Sequence, residues 1–575
     1  MGHQIFHQIY IPSAIMNSQA AFLLSKALES IRSSSLPTAM LYLSQALKIQ
    51  SNNSECLRLI GVVHALNGEH HEALTKFDQA ISLSPRSGVA YSNKGNALQE
   101  LGRFEDAILC YNKAISLMPN YHEAHNNKGN ALQELGRFED AILCYDKAIS
   151  LMPNYHEAHI NKGNALQEQG RFEDAILCYD KAISYMPNYH KAHNNKGNAL
   201  KGLGRFEDAI LCYDKAISLM PNYPEPYSNK GLIFFELRQI EKARVCYENA
   251  LKINPTHINS KYNLSHLELQ EFNFTEGWLN YENRWLQSDF DSPRMQTSRP
   301  QWLGDFKDQR LFVWSEQGIG DQILYSSMLK ELDGLAGKKI VSLDKKLIKI
   351  FERSFPNYYF VSKEDFVLEQ DFDVQIPMGN LGVFFRRSLE SFNKAKHPYI
   401  FDDAARTQSI KSQHKFLNTI TCGISWGSTN IKVGDHKSIP IHELYPILRM
   451  KSIEFINLQY GDVSSSLLQV KEDLSKEIFN LDEINVFDDV DGALSIISAC
   501  NIIVTCSNTT AHLAGALGKE TLLLVPYSAG QFWYWHALDG KSIWYPSVKV
   551  FKQEHQGDWS LPVQAVKKYL ETRFG

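Results

Sequence analysis

The chain lacks several features that would place it in a common functional class. Its 575 residues contain no run of about 18 apolar residues, which a membrane-spanning helix requires. It has no long basic segment and its net charge is −5, so we expect no nucleic-acid binding through phosphate contacts. The opening residues MGHQIFHQIYIPSAIM lack the basic-then-apolar order of a secretory signal. We therefore expect a cytoplasmic protein without a membrane span.

The nine cysteines contain no CxxC pair, which argues against a disulfide or zinc framework. Instead, five cysteines recur every 34 residues, and six prolines and six glycines follow the same period: Cys110, Cys144, Cys178, Cys212 and Cys246; Pro85, Pro119, Pro153, Pro187, Pro221 and Pro255; Gly61, Gly95, Gly129, Gly163, Gly197 and Gly231. A fixed period of this length predicts an array of structural repeats. In each unit, two helical stretches flank a segment such as LGRFED, and the proline ends the second helix.

The repeated unit NNKGNALQELGRFEDAILCYDKAISLMPNYHEAH resembles the tetratricopeptide repeat in its order of Gly, Ala, aromatic, Ala and Pro. The resemblance implies an α-solenoid (TPR superhelix) of seven repeats over residues 20–257, between an N-terminal segment (1–19) and a degenerate capping repeat (258–291). Stacked helix pairs of this kind form a groove that binds protein or peptide. The histidine pairs of the repeats have no Cys or carboxylate partners at ligand spacing, so we expect no metal site.

One row of asparagines follows the repeat period: Asn93, Asn127, Asn161, Asn195, Asn229 and Asn263. A second row lies three positions further along the same helix faces: Asn96, Asn130, Asn164 and Asn198. An asparagine both donates and accepts, which suits it to bind an extended peptide backbone. The first row resembles the ladder that lines the superhelix of O-linked N-acetylglucosamine transferase, which implies an acceptor-binding role. The alternative is recent duplication, which copies every residue whatever its role.

The composition changes sharply near residue 277, because all nine tryptophans follow that position and the repeat period ends there. Residues 292–309 are predicted to be a connector. Beyond them, short apolar runs alternate with amphipathic stretches, which predicts an α/β region of parallel sheet with helices on both faces. A polar linker at 404–417 separates two Rossmann-like halves, 310–403 and 418–575, and ligands are expected at the carboxyl ends of the strands.

The segment SEQGIGDQILYSSML follows the first predicted strand. Gly318 and Gly320 permit a tight turn, and Asp321 falls at the start of the next helix. Asp321 is therefore a candidate helix cap as well as a candidate catalytic residue. Glu316 is a second candidate base, although its place at the strand end also suits a residue that braces the loop.

Two polar loops follow strands of the second half and are candidate phosphate-binding sites. Backbone and hydroxyl donors beside a helix start, together with a lysine, suit an anionic ligand, and two such loops suit a diphosphate. The residues concerned are Gly427, Ser428, Thr429 and Lys437 in the earlier loop, and Ser507, Asn508, Thr509, Thr510 and His512 in the later one. The nearby Trp533, Trp535, Trp544 and Tyr545 suit either ligand stacking or core packing.

The blocks EQGIGDQ, DHKSIP and AHLAGALG resemble the heptosyltransferase-like glycosyltransferases, which have the GT-B fold, and bacterial proteins that join tetratricopeptide repeats to such a domain. The resemblance implies an inverting, metal-independent transfer from a nucleotide-sugar co-substrate, without a further cofactor. It places the acceptor on the first half and the nucleotide-sugar on the second. It also implies that Asp321 is the general base and that Lys437 contacts the donor phosphates. Ser507 and Asn508 replace the usual Asp and Thr of the family, which puts the donor identity in doubt.

Three functions are compatible with these patterns. The first is a glycosyltransferase that modifies a protein or glycan presented by the repeats. The second is a non-catalytic TPR scaffold whose GT-B-like domain has lost activity, which the replacement at Ser507 favours. The third is a lipopolysaccharide-type heptosyltransferase that needs no protein acceptor.

Overall fold

The computed structural model describes residues 18–287, 290, 292–304, 309–334, 337–365, 367–413, 419–428, 434–527 and 530–575. The chain divides into two compact units after residue 230. Of the segment 1–19 that was expected to precede the repeats, residues 1–17 lie outside the described residues. Within the described ranges, no helix has both the length and the apolar character needed to cross a membrane.

The first unit consists of consecutive helix pairs. Its helices are α1 (Ser18–Arg32), α2 (Leu36–Ile49), α3 (Ser54–Leu66), α4 (His70–Leu83), α5 (Gly88–Glu100), α6 (Phe104–Leu117), α7 (His122–Glu134), α8 (Phe138–Leu151), α9 (His156–Glu168), α10 (Phe172–Tyr185), α11 (His190–Gly202) and α12 (Phe206–Leu219), followed by α13 (Pro224–Glu236), which continues into the second unit. From α3 onward the first helix of each pair begins at intervals of 34 residues, so the predicted repeat array is confirmed.

Each repeat unit of this type contains two glycines, and each is needed for a different structural reason. Gly136, in the turn before α8, has φ +71°, a left-handed conformation that side chains with a Cβ rarely adopt. Gly129 lies inside α7, where an added Cβ would be 2.5 Å from Cε1 of Tyr145. The ring of Tyr145 is fully buried because Gly129 lets α7 and α8 approach closely, and Ala141 and Ala148 are buried in the same helix pair. The repeat signature therefore reflects close helix packing.

The second unit continues the helix pairs and then becomes an α/β region. Its helices are α14 (Ile240–Ile253), α15 (Ile258–Gln270), α16 (Phe274–Tyr281), α17 (Ile319–Ser326), α18 (Ile348–Ser354), α19 (Leu381–Phe385), α20 (Leu389–Phe392), α21 (Ala404–Gln413), α22 (Gly434–Lys437), α23 (Tyr445–Leu448), α24 (Ser464–Leu474), α25 (Val490–Ala499), α26 (Thr509–Ala516) and α27 (Ser560–Phe574). Residues 404–413, expected as part of a polar linker, form α21, where Thr407 and Ile410 are buried.

Two sheets form the α/β region. Their strands are β1 (Leu311–Trp314), β2 (Lys339–Leu343), β3 (Tyr359–Ser362), β4 (Val374–Pro377), β5 (Ile420–Ser425), β6 (Ile453–Asn457), β7 (Ile478–Phe479), β8 (Ile502–Cys506), β9 (Thr521–Val525), β10 (Ala537–Leu538), β11 (Lys541–Ser542) and β12 (Val548–Lys552). The first sheet has the order β3-β2-β1-β4 and is parallel throughout. The second has the order β10-β11-β12-β9-β8-β5-β6-β7, and only β10, β11 and β12 pair antiparallel. The prediction of an α/β region with parallel sheets is therefore confirmed.

The last helix pair of the array packs into the core of the α/β region. Trp278 of α16 is buried, and its indole N–H donates to the carbonyl oxygen of Arg386 at 2.8 Å. Its ring contacts Gly382 so closely that an added Cβ would lie 2.4 Å from it. Trp533 also packs edge-on against Trp278, with ring centroids 5.3 Å apart. Two of the tryptophans that follow residue 277, Trp278 and Trp533, therefore pack the last helix pair of the repeats against the α/β region.

Candidate functional site

The loop between β1 and α17 carries the candidate base. Gly318 is the N-cap residue of α17, and its backbone N–H donates to Oδ2 of Asp321 at 3.2 Å. Gln317 before it has φ +60°, so the loop turns sharply on a residue that has a side chain. Asp321 is partly exposed. Burial raises the pKa of Asp321 to about 6, although the Gly318 N–H and the charge of Lys437 act in the opposite direction.

Glu316, the second candidate base, is fully engaged by protein groups. Both of its carboxylate oxygens accept from Arg284, at 2.7 and 2.8 Å, and one also accepts from the Gly379 N–H at 2.8 Å. The side chains of Glu316 and Arg284 are almost completely buried. This geometry favours the bracing role, because both oxygens of Glu316 accept hydrogen bonds from protein groups. Arg284 lies beyond the last repeat helix and was not singled out from the sequence.

The loop between β8 and α26 is held by its own side chains. Asn508 is the N-cap residue of α26, and its amide donates to Ser425 Oγ and to the Gly427 carbonyl, each at 3.1 Å. The hydroxyl of Ser507 accepts from the indole N–H of Trp535 at 2.8 Å. Thr510 is buried in the first turn of α26, whereas Thr509 is half-buried. The loop is therefore placed as predicted, but Ser507 and Asn508 already have protein partners.

His512 joins the two halves of the α/β region. Its ring lies against the first turn of α17, because a Cβ added to Gly320 would be 2.8 Å from His512 Cδ2. Its Nδ1 hydrogen bonds with the Tyr545 hydroxyl at 3.0 Å, and its ring packs against Trp535. Burial, with a smaller contribution from Lys437, lowers the pKa of His512 to about 3. His512 is therefore a neutral ring at physiological pH.

Lys437 is buried near Asp321. Its ammonium lies 4.5 Å from the centroid of the Phe532 ring, and among the described residues it has no hydrogen bond or ion pair. Burial lowers the pKa of Lys437, while the nearby Cys506 and Asp321 act to raise it. Lys437 is therefore a candidate for binding an anionic ligand.

The backbone of the earlier loop has partners within the protein. The Gly427 N–H donates to Gln459 Oε1 at 2.6 Å, and the Ser428 N–H donates to Ser438 Oγ at 3.1 Å. These two N–H groups are therefore not free to hold a phosphate in this conformation. Thr429, the third residue predicted there, lies outside the described residues.

The tryptophans and tyrosines near the site are mainly core residues. Trp533, Trp535, Trp544 and Tyr545 are all buried, as the core-packing alternative predicts. Tyr534 was missed by the sequence analysis. Burial, the negative charge of Asp321 and a hydrogen bond to the Asp321 side chain raise the pKa of Tyr534. The signal was the aromatic run FWYWH, which identifies a packed turn but not which ring faces the site.

A cavity of about 750 Å³ opens beside the Asp321 loop, at the carboxyl edge of the first sheet. Trp314 and Phe312 form part of its wall, and Gln317 and Lys363 supply polar groups. In the described parts of the chain, no group of His, Cys, Asp and Glu side chains could hold a metal ion. The cavity is of ligand size, and its lining residues all belong to the first half or to the segment before it.

The asparagine rows hydrogen bond across the repeats. Asn127, Asn161 and Asn195 donate to the second-row residues Asn96, Asn130 and Asn164, at distances of 2.9 to 3.0 Å. The same acceptors also receive the hydroxyls of Tyr111, Tyr145 and Tyr179. The rows therefore link successive repeats, a role that the repeat period alone does not predict.

The other three asparagines of the first row differ in their hydrogen bonding and exposure. Asn229 donates to Asn194 at 3.1 Å. Asn93 is buried, and its amide nitrogen has no partner among the described residues. Asn263 is partly exposed in the second unit. The role of the row in peptide binding stays a prediction.

Comparison with known proteins identifies the repeats. Residues 95–136, 129–170, 163–204 and 197–238 match a family model described as TPR repeat, and residues 224–257 match the tetratricopeptide repeat. The N-terminal helical solenoid, of about 16 helices, therefore consists of TPR repeats.

One curated relative, Protein FlbA of Caulobacter vibrioides, is 29% identical over 304 residues, which cover 49% of this chain and 50% of the relative. The chain thus spans about half the length of the curated relative it matches. Among solved structures, a tetratricopeptide repeat protein from Parabacteroides merdae is similar at 19% identity and a TM-score of 0.35, covering 41% of this chain and 94% of its own. YrrB, a TPR protein with an unusual peptide-binding site, is similar at 21% identity and a TM-score of 0.28, covering 32% and 95%.

Proposed function

We propose that this protein is a nucleotide-sugar-dependent glycosyltransferase whose TPR repeats bind a protein or glycan acceptor. One observation carries the proposal: the Asp321 loop of the first sheet contacts His512 of the second, and the charge of Lys437 of the second acts on Asp321. All three follow the carboxyl ends of parallel strands, where α/β proteins bind ligands. The arrangement brings a carboxylate of raised pKa into the neighbourhood of a buried cation, and groups with shifted pKa values cluster at functional sites.

In the proposed reaction, the carboxylate of Asp321 and the ammonium of Lys437 have different roles. The Asp321 carboxylate removes the proton from an acceptor hydroxyl, and the hydroxyl oxygen forms a new bond to the anomeric carbon of the sugar. The bond between that carbon and the phosphate oxygen breaks, and the nucleoside diphosphate leaves with the electron pair. Lys437 stabilises the charge on the leaving diphosphate. Attack opposite to the leaving group inverts the anomeric centre.

Burial supports Asp321 as the base. A carboxylate with a pKa of about 6 accepts a proton more readily than an ordinary aspartate but is still ionised at pH 7.5. The cavity beside Gln317 provides room for an acceptor on the same side of the first sheet. The expected pH dependence is a loss of transfer as the pH falls through about 6.

A second function is favoured by the state of the later loop. Ser507 and Asn508 hydrogen bond to Trp535, Ser425 and Gly427, and this leaves the predicted donor loop occupied by protein groups. A scaffold that binds partners through its TPR repeats, with an inactive α/β region, would have such a closed loop. The two functions differ in nucleotide binding.

Calorimetry with UDP-, GDP- and ADP-sugars, followed by mass spectrometry of treated cell extract, separates the two functions. The enzyme predicts that one donor binds and that a hexose-sized or similar mass is added to a protein or glycan. Asp321→Asn should keep the donor affinity and lose transfer, whereas Lys437→Met should weaken donor binding. Asp558→Asn is the matched control, because Asp558 also accepts a backbone N–H at a helix start, that of Ser560, but lies outside the site. If none of the donors binds, the glycosyltransferase proposal is refuted and the scaffold function remains.

A test in the full chain addresses the acceptor. Asn127→Ala and Asn161→Ala together should reduce transfer to a protein acceptor and spare transfer to a small glycan, if the repeats present the acceptor. Their thermal stability must be compared with that of the parent chain, because both side chains hydrogen bond between repeats. Equal loss with both acceptors would contradict presentation by the repeats. If the parent chain itself transfers sugar to the small glycan but to no protein, the heptosyltransferase-type reaction is favoured.

A further inference from the structure

The second helices of four successive repeats each expose one leucine at the same place. Leu109, Leu143, Leu177 and Leu211 lie in α6, α8, α10 and α12 and are 64 to 68% exposed. They are among the most exposed large apolar side chains of the described residues, and they form a row within one unit. A row of apolar side chains on a solvent-exposed surface is typical of a protein–protein contact. We call this surface the leucine face.

Duplication of the repeat does not by itself explain the leucine face. The equivalent position in three diverged repeats is also apolar and exposed: Leu41 (56%), Val245 (53%) and Leu279 (53%). Among the eight equivalent positions only Thr75 is polar. In those diverged repeats the neighbouring residues differ from the ones in the four similar repeats. The apolar side chain at this position is nevertheless present.

Charged rows run on either side of the leucines. Each leucine has a glutamate four residues before it and a lysine four residues after it: Glu105, Glu139, Glu173 and Glu207, and Lys113, Lys147, Lys181 and Lys215. Positions four apart share a helix face, so glutamate, leucine and lysine point the same way. All eight charged residues are exposed, and within the described parts of the chain none forms an ion pair. By contrast, the neighbouring Asp140 pairs with Arg137, the N-cap residue of α8.

We propose that the leucine face binds a second copy of this chain, with a twofold axis parallel to the leucine row. Such an axis places each second helix antiparallel to the matching helix of the partner copy. Leucine then packs against leucine at the centre, each glutamate row faces the partner's lysine row, and each lysine row faces its glutamate row. The order acidic, apolar, basic is therefore complementary to itself. A twofold axis parallel to the helices would instead place glutamate against glutamate.

Sedimentation equilibrium of the full chain over a range of concentrations tests the proposal. We expect a dimer that dissociates on dilution and that weakens in high salt, because the charge rows are exposed. Leu143→Ser with Leu177→Ser should raise the dissociation constant at least tenfold without lowering the thermal stability, because both side chains are exposed. The matched control is Leu468→Ser in α24, where Leu468 is 56% exposed and away from the row. A monomer at all concentrations, or a dimer unaffected by the leucine changes, would overturn the proposal.

Charge exchange tests the direction of the axis. In a chain with Glu139→Lys and Glu173→Lys, the leucines of α8 and α10 are flanked by lysine on both sides. In a chain with Lys147→Glu and Lys181→Glu, the same leucines are flanked by glutamate on both sides. Each should be monomeric alone, and a mixture of the two should form a heterodimer. Combining all four changes in one chain should restore the homodimer, because the rows are then exchanged but still complementary. If the mixture does not associate, or if each variant alone still dimerises, the proposed contact is refuted.

Discussion

Replacing Asp321 by asparagine should stabilise the second unit at neutral and alkaline pH. Burial raises the pKa of Asp321 from 3.8 to about 6 in the folded chain. Because the folded pKa is the higher one, the protonated carboxyl favours folding below pH 3.8, and this contribution is lost as the pH rises through about 6. The ionised carboxylate therefore costs the fold at most about 3 kcal/mol at pH 8, and about 1 kcal/mol at pH 4.5. Asparagine has no charge to bury and still offers an oxygen to the Gly318 N–H.

Urea unfolding followed by tryptophan fluorescence measures this effect in the correct region, since all nine tryptophans follow residue 277. The free energy of unfolding of Asp321→Asn should exceed that of the parent chain by about 2 to 3 kcal/mol at pH 8, and by no more than about 1 kcal/mol at pH 4.5. Asp558→Asn is the control, because hydrogen bonds from Ser560 lower the pKa of Asp558. That variant should be no more stable than the parent at pH 8. Equal or lower stability of Asp321→Asn at both pH values would refute the assignment of Asp321 as a desolvated carboxylate.

Three further predictions concern buried contacts of the two units. Arg284→Met should lower the free energy of unfolding of the second unit by about 3 to 5 kcal/mol, because it leaves the buried Glu316 without its cation; a loss below about 1 kcal/mol in urea titration would contradict this. Gly129→Ala should cost about 1 to 3 kcal/mol by circular dichroism, because its Cβ meets the Tyr145 ring, and should cost less in a Tyr145→Leu background. Tyr145→Phe removes only the hydroxyl that donates to Asn130 at 2.9 Å and should cost about 1 kcal/mol in the same assay.

The repeats could be predicted from the sequence because their determinants are local and repeated. Gly129 packs against Tyr145, and Ala141 lies in the same hydrophobic cluster as Tyr145, all within one unit of 34 residues. The next unit gives the same pattern again. The hydrogen bond from Asn127 to Asn96 could not be predicted in the same way. It depends on how adjacent units are stacked, and the period alone does not fix the distance between two side chains in different repeats.

The candidate site was predicted only where it follows strands. Strand ends identify Asp321 and Asn508, because polar residues after a buried strand are visible in the sequence. Arg284 and Tyr534 gave no such signal. Arg284 reaches Glu316 from a turn after the last repeat helix, 32 residues earlier in the chain. Tyr534 comes from a short helical turn in an aromatic run, where sequence does not distinguish the ring that faces the site from the rings that pack in the core.

The two roles considered for Asp321, helix cap and base, make opposite demands on its pKa. A carboxylate that only caps a helix is stabilised in its charged form by the N–H groups and the helix dipole, so its pKa falls. Asp558 shows this behaviour, and its pKa is lowered by hydrogen bonds from Ser560. Asp321 accepts the Gly318 N–H and lies near Lys437, and both lower its pKa, yet the pKa is raised to about 6. Burial therefore outweighs the cap and the cation together. A site that only needed a cap would have no reason to keep a carboxylate at this cost, since asparagine accepts the same hydrogen bond, and this is the physical argument for a chemical role of Asp321.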